Sequence, residues 1–357
     1  MTFQEVQNPK QLSDFLRIDL ERLNFFLINE PIVLNKASEP ITDEGVRDEV
    51  TFDNAIILGN GYEDFWVEEL IIPKKNRKLG NRIVYRIVNG TLSDLNKVIF
   101  FHLNQVYSPL DPVNGFVRGR YTKRNASSHL NKRVVLNIDI ENFFESITSE
   151  MVSAVFSKLG CTKGVADSLA KLTTLNGSLP QGFFTSPILA NLVSEEMDKA
   201  LMIIATEKNC AYSRYADDIC FSSDSTLPDI EDIRNILKKY GFKLNDQKTR
   251  YMYKGQKQYV TGLTVSDSDY PRIPRKTKKK IRLLLYYIEK FGVVSHLMHV
   301  RGLAPKDVDD RAMLSLEAEG EDLIRYFIRG NIDYIKSIEP ELAVRLHEKL
   351  NLILKNG

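Results

Sequence analysis

Apolar residues recur at two spacings along the chain, and the change between them divides it into three stretches. In the first 60 residues, positions such as Leu12, Phe15, Leu16 and Leu23 follow helical spacing, which predicts a mainly helical segment. Short apolar runs between residues 71 and 265 are typical of strands and alternate with helical stretches. Beyond residue 265 the pattern is again mainly helical.

The middle stretch contains the clearest individual elements. Two short strands at 71–88 flank a basic turn that contains Gly80. The run VVLNID at 134–139 predicts a strand, and AYSRYADDICFS at 211–222 predicts a strand, a tight turn and a second strand. The polar, basic segment 115–133 is predicted to be mostly loop. The remaining elements are helices at 92–106, 188–205 and 230–240 and a strand at 258–265.

The composition is that of a globular protein with enough apolar material for a core. The chain has 357 residues, 43% hydrophobic and 27% charged, which suggests two or three subdomains. No run of 18 apolar residues and no secretory leader pattern occurs, so we expect neither a membrane-spanning helix nor a membrane partner. The three cysteines show no paired spacing, which argues against a zinc site or disulfides and favours a cytoplasmic location.

The net charge of +2 hides an uneven distribution of charge. Residues 1–69 contain 5 Lys and Arg against 15 Asp and Glu, whereas residues 70–133 contain 13 against 2. A second basic stretch at 270–282 (YPRIPRKTKKKIR) has seven basic residues and no acidic one. Basic stretches bind polyanions because neutralised phosphates release their counterions. A solvated surface would explain one such run, but two of them favour a nucleic-acid partner.

Three carboxylates lie beside apolar residues, with no basic residue next to them in sequence. Asp217 and Asp218 are adjacent in a hairpin between apolar residues, and Asp139 ends another apolar strand. Together they form an all-oxygen donor set that suits Mg²⁺. Two Mg²⁺ ions roughly 3.5–4 Å apart would activate a hydroxyl and stabilise a leaving pyrophosphate. The alternative is a turn that favours Asp for its local hydrogen bonds.

Five segments, in order, resemble the successive palm motifs of reverse transcriptases. They are NIDIENFF at 137–144, LPQGFFTSPILAN at 179–191, RYADDICFS at 214–222, GFKLNDQKT at 241–249 and VTGL at 260–263. The resemblance implies an α+β right-hand polymerase, with an antiparallel palm sheet backed by helices. The implied domains are an acidic helical N-terminal extension at 1–60, fingers and palm at 61–265, and an α-helical thumb at 266–357.

Two further elements narrow the resemblance to bacterial retron reverse transcriptases. NASSH at 125–129 resembles their NAxxH element, and Val260-Thr261-Gly262 resembles their VTG element. Phe183-Phe184 departs from the Ala-Pro that is more usual after LPQG, which bears on the shape of the nucleotide pocket.

The resemblance also implies roles in catalysis. Asp139, Asp217 and Asp218, with the backbone carbonyl of Ile140, would hold the metal ions. Lys248 would lie near the departing pyrophosphate, as a general acid, or would be an ordinary surface lysine.

The incoming dNTP would meet a second group of residues. Phe144 would exclude a 2′-hydroxyl, unless it is an ordinary core aromatic. Gln181 would line the nucleotide and the template base, and Gly182 would let the backbone approach closely. Lys78 and Arg82 would clamp the triphosphate, or would hold template phosphates instead.

RNA contact is implied at two places. Asn125 and His129 are expected either to support the structure or to contact the guide RNA. The start of the thumb would grip the nucleic acid through its basic side chains. The implied RNA-binding residues there are Arg272, Arg275, Lys276, Lys278, Lys279 and Lys280.

The function that the resemblance implies is RNA-directed DNA synthesis. A cognate non-coding RNA would supply template and primer, the product would be a branched RNA–DNA molecule (msDNA), and a separate effector protein would complete an anti-phage system. One alternative is a defence-associated or abortive-infection reverse transcriptase with protein-primed or untemplated synthesis. The other is a catalytically idle RNA-binding scaffold. The acidic extension would dock a basic effector or, more simply, pack on the chain's own basic block.

Overall fold

The computed structural model describes residues 1–35, 66–73, 80–88, 90–267, 269–304 and 308–356. Its first long elements are helices α1 (Pro9–Leu16) and α2 (Leu20–Ile28), preceded by a 3₁₀ turn at Phe3–Glu5. Each helix begins at a side-chain cap, since Asn8 accepts a hydrogen bond from the Gln11 amide and Asp19 accepts one from the Arg22 amide. Such caps satisfy amides that have no partner within the helix.

The N-terminal helices belong to the main core. Gln7 Nε2 donates to the Gly160 carbonyl over 2.9 Å, and the Thr162 hydroxyl donates to the Gln7 carbonyl over 2.9 Å. Packing within the chain is therefore found for residues 1–28. It is mainly apolar and includes residues of the basic stretch 70–133, such as His102, whose ring lies 4.2 Å from that of Phe15. Most of the predicted extension beyond residue 35 lies outside the described residues. The N-terminal side chains buried in the main core are Phe3, Val6, Leu12, Phe15, Leu16, Leu23 and Phe26.

A three-stranded sheet follows, formed by β1 (Ile32–Asn35), β2 (Trp66–Pro73) and β3 (Asn81–Ile87). β1 runs parallel to β2, and β2 runs antiparallel to β3. The predicted pair of strands around Gly80 is thus present, with Gly80 in the left-handed region at φ +77°. The basic residues 74–79 lie outside the described part of the chain.

A four-stranded antiparallel sheet forms the centre of the fold. Its strands are β4 (Val134–Asp139), β5 (Ala211–Tyr215), β6 (Asp218–Ser223) and β7 (Arg250–Tyr253), in the order β5-β6-β4-β7. The strands β4 and β6 are almost entirely buried because helices cover them. A further hairpin joins β8 (Tyr259–Val260) to β9 (Leu263–Thr264) through Thr261 and Gly262, where one strand was predicted.

Helices surround this sheet and fill the main core. They are α3 (Thr91–Val106), α4 (Thr122–Ser127), α5 (Ser149–Lys158), α6 (Lys163–Thr173), α7 (Ser186–Val193), α8 (Glu195–Glu207) and α9 (Ile230–Lys239). The single helix predicted at 188–205 is two helices that meet at Ser194. The segment 115–133 is mostly loop, as predicted, except for α4, whose polar sequence carries little apolar periodicity. Tertiary contacts stabilise α4, including the bond from Lys123 Nζ to the Ile338 carbonyl.

The C-terminal stretch is helical, as its pattern predicts. It comprises α10 (Arg275–Phe291), α11 (Val293–Arg301), α12 (Asp310–Asp322), α13 (Arg329–Ile338) and α14 (Pro340–Asn356), with a π-helical turn at Leu323–Ile328 before α13. A second apolar core joins these helices to the sheet, because Val135, Cys220 and Val260 cluster with Leu285, Ile335 and other thumb-side residues. Among the described helices, none is long and apolar enough to cross a membrane. The α+β class and the antiparallel sheet backed by helices are confirmed.

Candidate active site

The three carboxylates meet at one end of the central sheet. Asp139 is the last residue of β4 and lies opposite Asp218, the first residue of β6. The Ile140 amide donates to the Asp217 carbonyl over 3.0 Å, so the turn between β5 and β6 is bonded to the end of β4. The strand register therefore brings together all three acidic residues that the sequence singled out.

Their negative charges disturb one another. Desolvation in the cleft, followed by the charge of Asp139, raises the pKa of Asp217, and Lys248 and Arg82 offset part of this increase. Desolvation and the charges of Asp217 and Asp139 raise the pKa of Asp218 to about 7. Clustered carboxylates of this kind create a strongly negative local field that favours a bound cation.

One cation is already present in the cluster, the Lys248 ammonium. Its Nζ lies 2.8 Å and 2.9 Å from the two carboxylate oxygens of Asp139. Asn245 also holds Asp139 in place. Its backbone amide donates to the Asp139 backbone carbonyl over 2.9 Å, and its Nδ2 donates to the carboxylate oxygen Oδ1 over 3.2 Å. Lys248 is thus placed at the carboxylate cluster that the sequence assigns to catalysis.

The donor chemistry of the cluster fits a hard divalent cation. Three carboxylates supply only oxygen ligands, and their mutual repulsion would be relieved by a double positive charge. In the part of the chain that the structure describes, however, no three His, Cys, Asp or Glu side chains are arranged to hold a metal ion. In this arrangement the Asp139 carboxylate faces the ammonium of Lys248.

A buried ion pair holds the turn that carries Asp217. Arg214 is fully buried, and its Nε and Nη2 donate to the two carboxylate oxygens of Asp198 over 2.7 Å each. The remaining Nη1 donates to the carbonyl of Ala216, a residue in the left-handed region at φ +58°. The guanidinium therefore joins α8 to the catalytic turn by bonds with defined directions.

A glycine on the other side of this turn allows the chain to pass very close. A Cβ on Gly115 would come within 2.1 Å of the Ala216 amide nitrogen, so only glycine fits. Asn191 Nδ2 donates to the Gly115 carbonyl over 2.9 Å and fixes this approach. Sequence analysis missed Arg214, Asp198 and Gly115. A charged residue inside the apolar strand AYSRY was the available signal for Arg214.

Asn125 and His129 lie in the interior, which contradicts a direct contact with RNA. His129 is fully buried, with its Nδ1 2.7 Å from Ser222 Oγ and its Nε2 2.7 Å from Ser213 Oγ. Asn125 Oδ1 accepts a hydrogen bond from Asn114 Nδ2 over 3.1 Å. The buried positions of Asn125 and His129 therefore favour a structural role over contact with the guide RNA.

The residues assigned to the nucleotide have the following contacts in the structure. Phe144 is half-buried, and its ring lies 5.8 Å from that of Phe116. Gln181 Nε2 donates a hydrogen bond to the carboxylate of Glu145 over 3.0 Å. Glu145 follows Phe144 in sequence, so Gln181 contacts the segment that carries Phe144. A Cβ on Gly182 would meet the Tyr85 carbonyl at 2.1 Å, so its close approach is to β3.

The two cations assigned to the triphosphate differ in what the structure shows. Arg82 is exposed on β3 and its charge reaches Asp217, whereas Lys78 lies outside the described residues. Of the two phenylalanines in this loop, Phe183 is buried and Phe184 is exposed.

The basic thumb residues divide into two sets. Lys278 Nζ is paired with Glu339 over 2.6 Å, and Arg272 is paired with Asp267 over 2.6 Å and lies over the Tyr270 ring. These two cations are engaged within the protein, which weakens their assignment to RNA. Lys280 lies over the Phe327 ring but remains exposed, as does Lys276. A groove along α10 is lined by Arg275, Lys278, Lys279, Arg282, Leu283 and Tyr286.

Comparison with known proteins identifies the family. Residues 72–286 match the family described as "Reverse transcriptase (RNA-dependent DNA polymerase)". Because this match spans more than half of the chain, the protein belongs to the reverse transcriptase family.

Its curated relatives are retron enzymes. The chain is 32% identical over 263 residues to Retron Mx65 reverse transcriptase of Myxococcus xanthus, covering 67% of this chain and 54% of the relative. It is 33% identical over 191 residues to Retron Ec86 reverse transcriptase of Escherichia coli, covering 53% and 59%. It is also 27% identical over 324 residues to Retron Ec73 reverse transcriptase of Escherichia coli, covering 83% and 93%. The chain thus spans little more than half the length of the first two, and the resemblance to retron-type reverse transcriptases is confirmed.

The buried ion pair gives a first prediction. Arg214→Met leaves the Asp198 charge without its partner and should lower the free energy of unfolding by about 3–5 kcal/mol. The double variant Arg214→Met/Asp198→Leu removes both charges and should recover most of this loss in urea unfolding. It should nevertheless bind Mn²⁺ more weakly than the wild type, because the Ala216 carbonyl has lost its donor. Wild-type Mn²⁺ affinity in the double variant would show that the pair does not position the turn.

His129 gives a prediction about pH. Burial, and to a lesser degree the charge of Lys132, lowers the pKa of His129 to about 3 from an ordinary 6.5. Below pH 6.5 the unfolded chain therefore binds a proton that the folded chain does not, and stability falls as pH falls towards 3. The contribution of His129 to this loss approaches about 1.4 kcal/mol per pH unit.

Urea unfolding between pH 7 and pH 4.5 tests this expectation. His129→Gln should show a shallower loss of stability than the wild type as the pH falls. His299→Gln removes an exposed imidazole and should keep the wild-type slope. Equal slopes for wild type and His129→Gln would contradict a buried neutral imidazole.

Proposed function

We propose that this protein is an RNA-directed DNA polymerase that adds dNTPs to the end of a primer on an RNA template. The observation that carries the proposal is the meeting of Asp139, Asp217 and Asp218 at one end of the palm sheet. Membership of the reverse transcriptase family supports it, and members of this family use divalent metal ions. A scaffold that only binds RNA would gain nothing from clustered carboxylates that destabilise one another.

In this proposal the metals are two Mg²⁺ ions held by Asp139, Asp217 and Asp218, with the Ile140 carbonyl as a further ligand. The ions would make the attacking hydroxyl more acidic and stabilise the charge that develops on the leaving pyrophosphate. The protein's own part is to hold the three carboxylates in register. Arg214 does so through the Ala216 carbonyl, and Ile140 does so through the Asp217 carbonyl.

The nucleotide would lie between the carboxylates and the β2–β3 hairpin. Arg82 supplies a bidentate donor for the triphosphate, with Lys78 beside it in sequence. Once the Lys248 ammonium has separated from Asp139, it would hold or protonate the leaving pyrophosphate. Gln181 would contact the nucleotide and template base, and Phe144 would stand where a 2′-hydroxyl has to be excluded.

The RNA partner is supported by charge and by the relatives. The groove along α10 combines cations with exposed Leu283 and Tyr286, a surface suited to a duplex backbone and unstacked bases. The similarity to retron reverse transcriptases supports an RNA template. In this proposal a cognate non-coding RNA is template and primer, and msDNA is the product. We propose further that the protein works in the cytoplasm with a separate effector in anti-phage defence. The fingers and palm would span 61–265 and the thumb 266–357.

The nucleic acid that accompanies the purified protein tests this function. Protein expressed from its native locus should carry a discrete single-stranded DNA joined to RNA, seen on a denaturing gel before and after RNase treatment. The variant Asp217→Asn/Asp218→Asn keeps the shape of the turn but removes the negative charge. It should carry RNA without DNA, and its synthesis in vitro should fall by at least about 100-fold.

The controls separate the competing functions. Lys243→Gln, which removes a charge from an exposed pair with Glu141, should keep the wild-type product. DNA that stays bound to protein after denaturation would favour protein priming. Wild-type protein that carries RNA and fails to extend it with dNTPs and Mg²⁺ would favour the idle scaffold.

Phe144 carries a prediction about substrate choice. Phe144→Ala should raise the relative use of rNTPs over dNTPs by roughly 10- to 200-fold, because the bulk that opposes the 2′-hydroxyl is lost. Single-nucleotide extension with matched dNTP and rNTP pairs measures this ratio. Phe184→Ala removes an exposed ring from the neighbouring loop and should leave the ratio unchanged. An unchanged ratio in Phe144→Ala would make this residue a core aromatic only.

A further inference from the structure

Side chains of the protein itself contact both oxygens of the Asp139 carboxylate. Lys248 Nζ contacts Oδ1 at 2.8 Å and Oδ2 at 2.9 Å, and Asn245 Nδ2 adds a third contact at 3.2 Å to Oδ1. The side chain of Asp139 is 11% exposed, so little room remains for another ligand on the same oxygens. A divalent ion that binds these oxygens would compete with the ammonium for the same small, mostly buried site.

The charges of the cluster favour this exchange. Among the described residues, the direct cationic contact of the three carboxylates is the one from Lys248 to Asp139. Burial, followed by the charge of neighbouring carboxylates, raises the pKa of both Asp217 and Asp218. A doubly charged ion between all three neutralises more of this charge than a single ammonium on one of them.

The loop that carries Lys248 is built so that its side chain can leave while its backbone stays. Asn245 anchors the loop through its amide to the Asp139 carbonyl, and the amides of Lys248 and Thr249 donate to the Asn245 carbonyl. The Lys248 side chain itself is 52% exposed and ends in a flexible, strongly hydrated ammonium. A change of rotamers is enough to withdraw it, and no bond of the loop has to break.

We propose that Lys248 is a placeholder cation, which neutralises Asp139 in the metal-free enzyme and is displaced when a divalent ion binds. Metal binding and the release of Lys248 are then one coupled event. The release frees the ammonium for the phosphates of the substrate only when the metal is in place. This inference rests on the proposed function for its purpose, but its test does not depend on DNA synthesis.

Metal affinity in the absence of nucleotide gives the first test. The full-length protein and its variants are titrated with Mn²⁺, with the free ion followed by electron paramagnetic resonance. Lys248→Gln removes the competitor and should tighten Mn²⁺ binding by roughly 3- to 10-fold. Lys248→Arg keeps a competing charge and should stay near the wild-type affinity.

A matched control removes the same charge nearby. Lys243 lies in the same segment and pairs with Glu141 over 2.8 Å rather than with Asp139. Lys243→Gln should change Mn²⁺ affinity by less than about twofold, because an exposed pair contributes little. Equal tightening in both variants would reduce the effect to general electrostatics, and unchanged or weaker binding in Lys248→Gln would overturn the proposal.

The wild-type protein provides a second test that needs no substitution. An amine-reactive acylating reagent followed by mass spectrometry reports how accessible each lysine is. Labelling of Lys248, relative to Lys243, should increase when Mg²⁺ is added, because the ammonium leaves Asp139. A constant or lower ratio would overturn the exchange. Metal-dependent labelling in a protein that makes no DNA would preserve the exchange and refute the proposed function instead.

Discussion

The buried pair of Arg214 and Asp198 is the interaction on which the catalytic turn depends. Asp217 and Asp218 repel each other and Asp139, so a turn that carries them tends to open unless something holds its backbone. Arg214 holds it from within the protein, because two of its nitrogens bind the α8 carboxylate and the third binds the Ala216 carbonyl. A buried ion pair adds little net stability compared with apolar packing, but its bonds have fixed directions. Direction is what a metal-binding turn requires.

The NASSH element supports the same hairpin from its other side. His129 reaches Ser213 on β5 and Ser222 on β6 at once, so one imidazole ties the two strands to the end of α4. Thr261 Oγ1 in turn donates to the Thr122 carbonyl at the start of α4 over 3.3 Å. The two elements that narrowed the family resemblance are therefore neighbours that frame the active site. The second apolar core packs these elements against the C-terminal helices.

The sequence predicts the position of a site residue well when that residue is informative by itself. It predicts poorly when a partner distant in sequence determines where the side chain lies and what it binds. Asp139 and Asp217 stand at the ends of apolar runs, so their meeting follows from the pairing of the two strands. Arg214 looks like an outward residue of an alternating strand, because its partner Asp198 is one of several acidic residues at the start of a helix. Asn125 and His129 are types that suit phosphate as well as a buried hydrogen bond, and only tertiary packing distinguishes the two. The same dependence on tertiary contacts explains the missed helix α4.

The place of the first residues in the main core has a consequence for how the protein is made. Phe3 bonds through its carbonyl to Cys161, and Gln7 bonds to Gly160, across separations of 158 and 153 residues. At roughly 5–20 residues per second, roughly 8–30 s pass between the synthesis of Phe3 and Gln7 and that of these two partners. During that interval the phenylalanines and leucines of the N-terminus are available to chaperones and to other chains. Residues 3–7 are thus synthesised well before the residues that complete their burial.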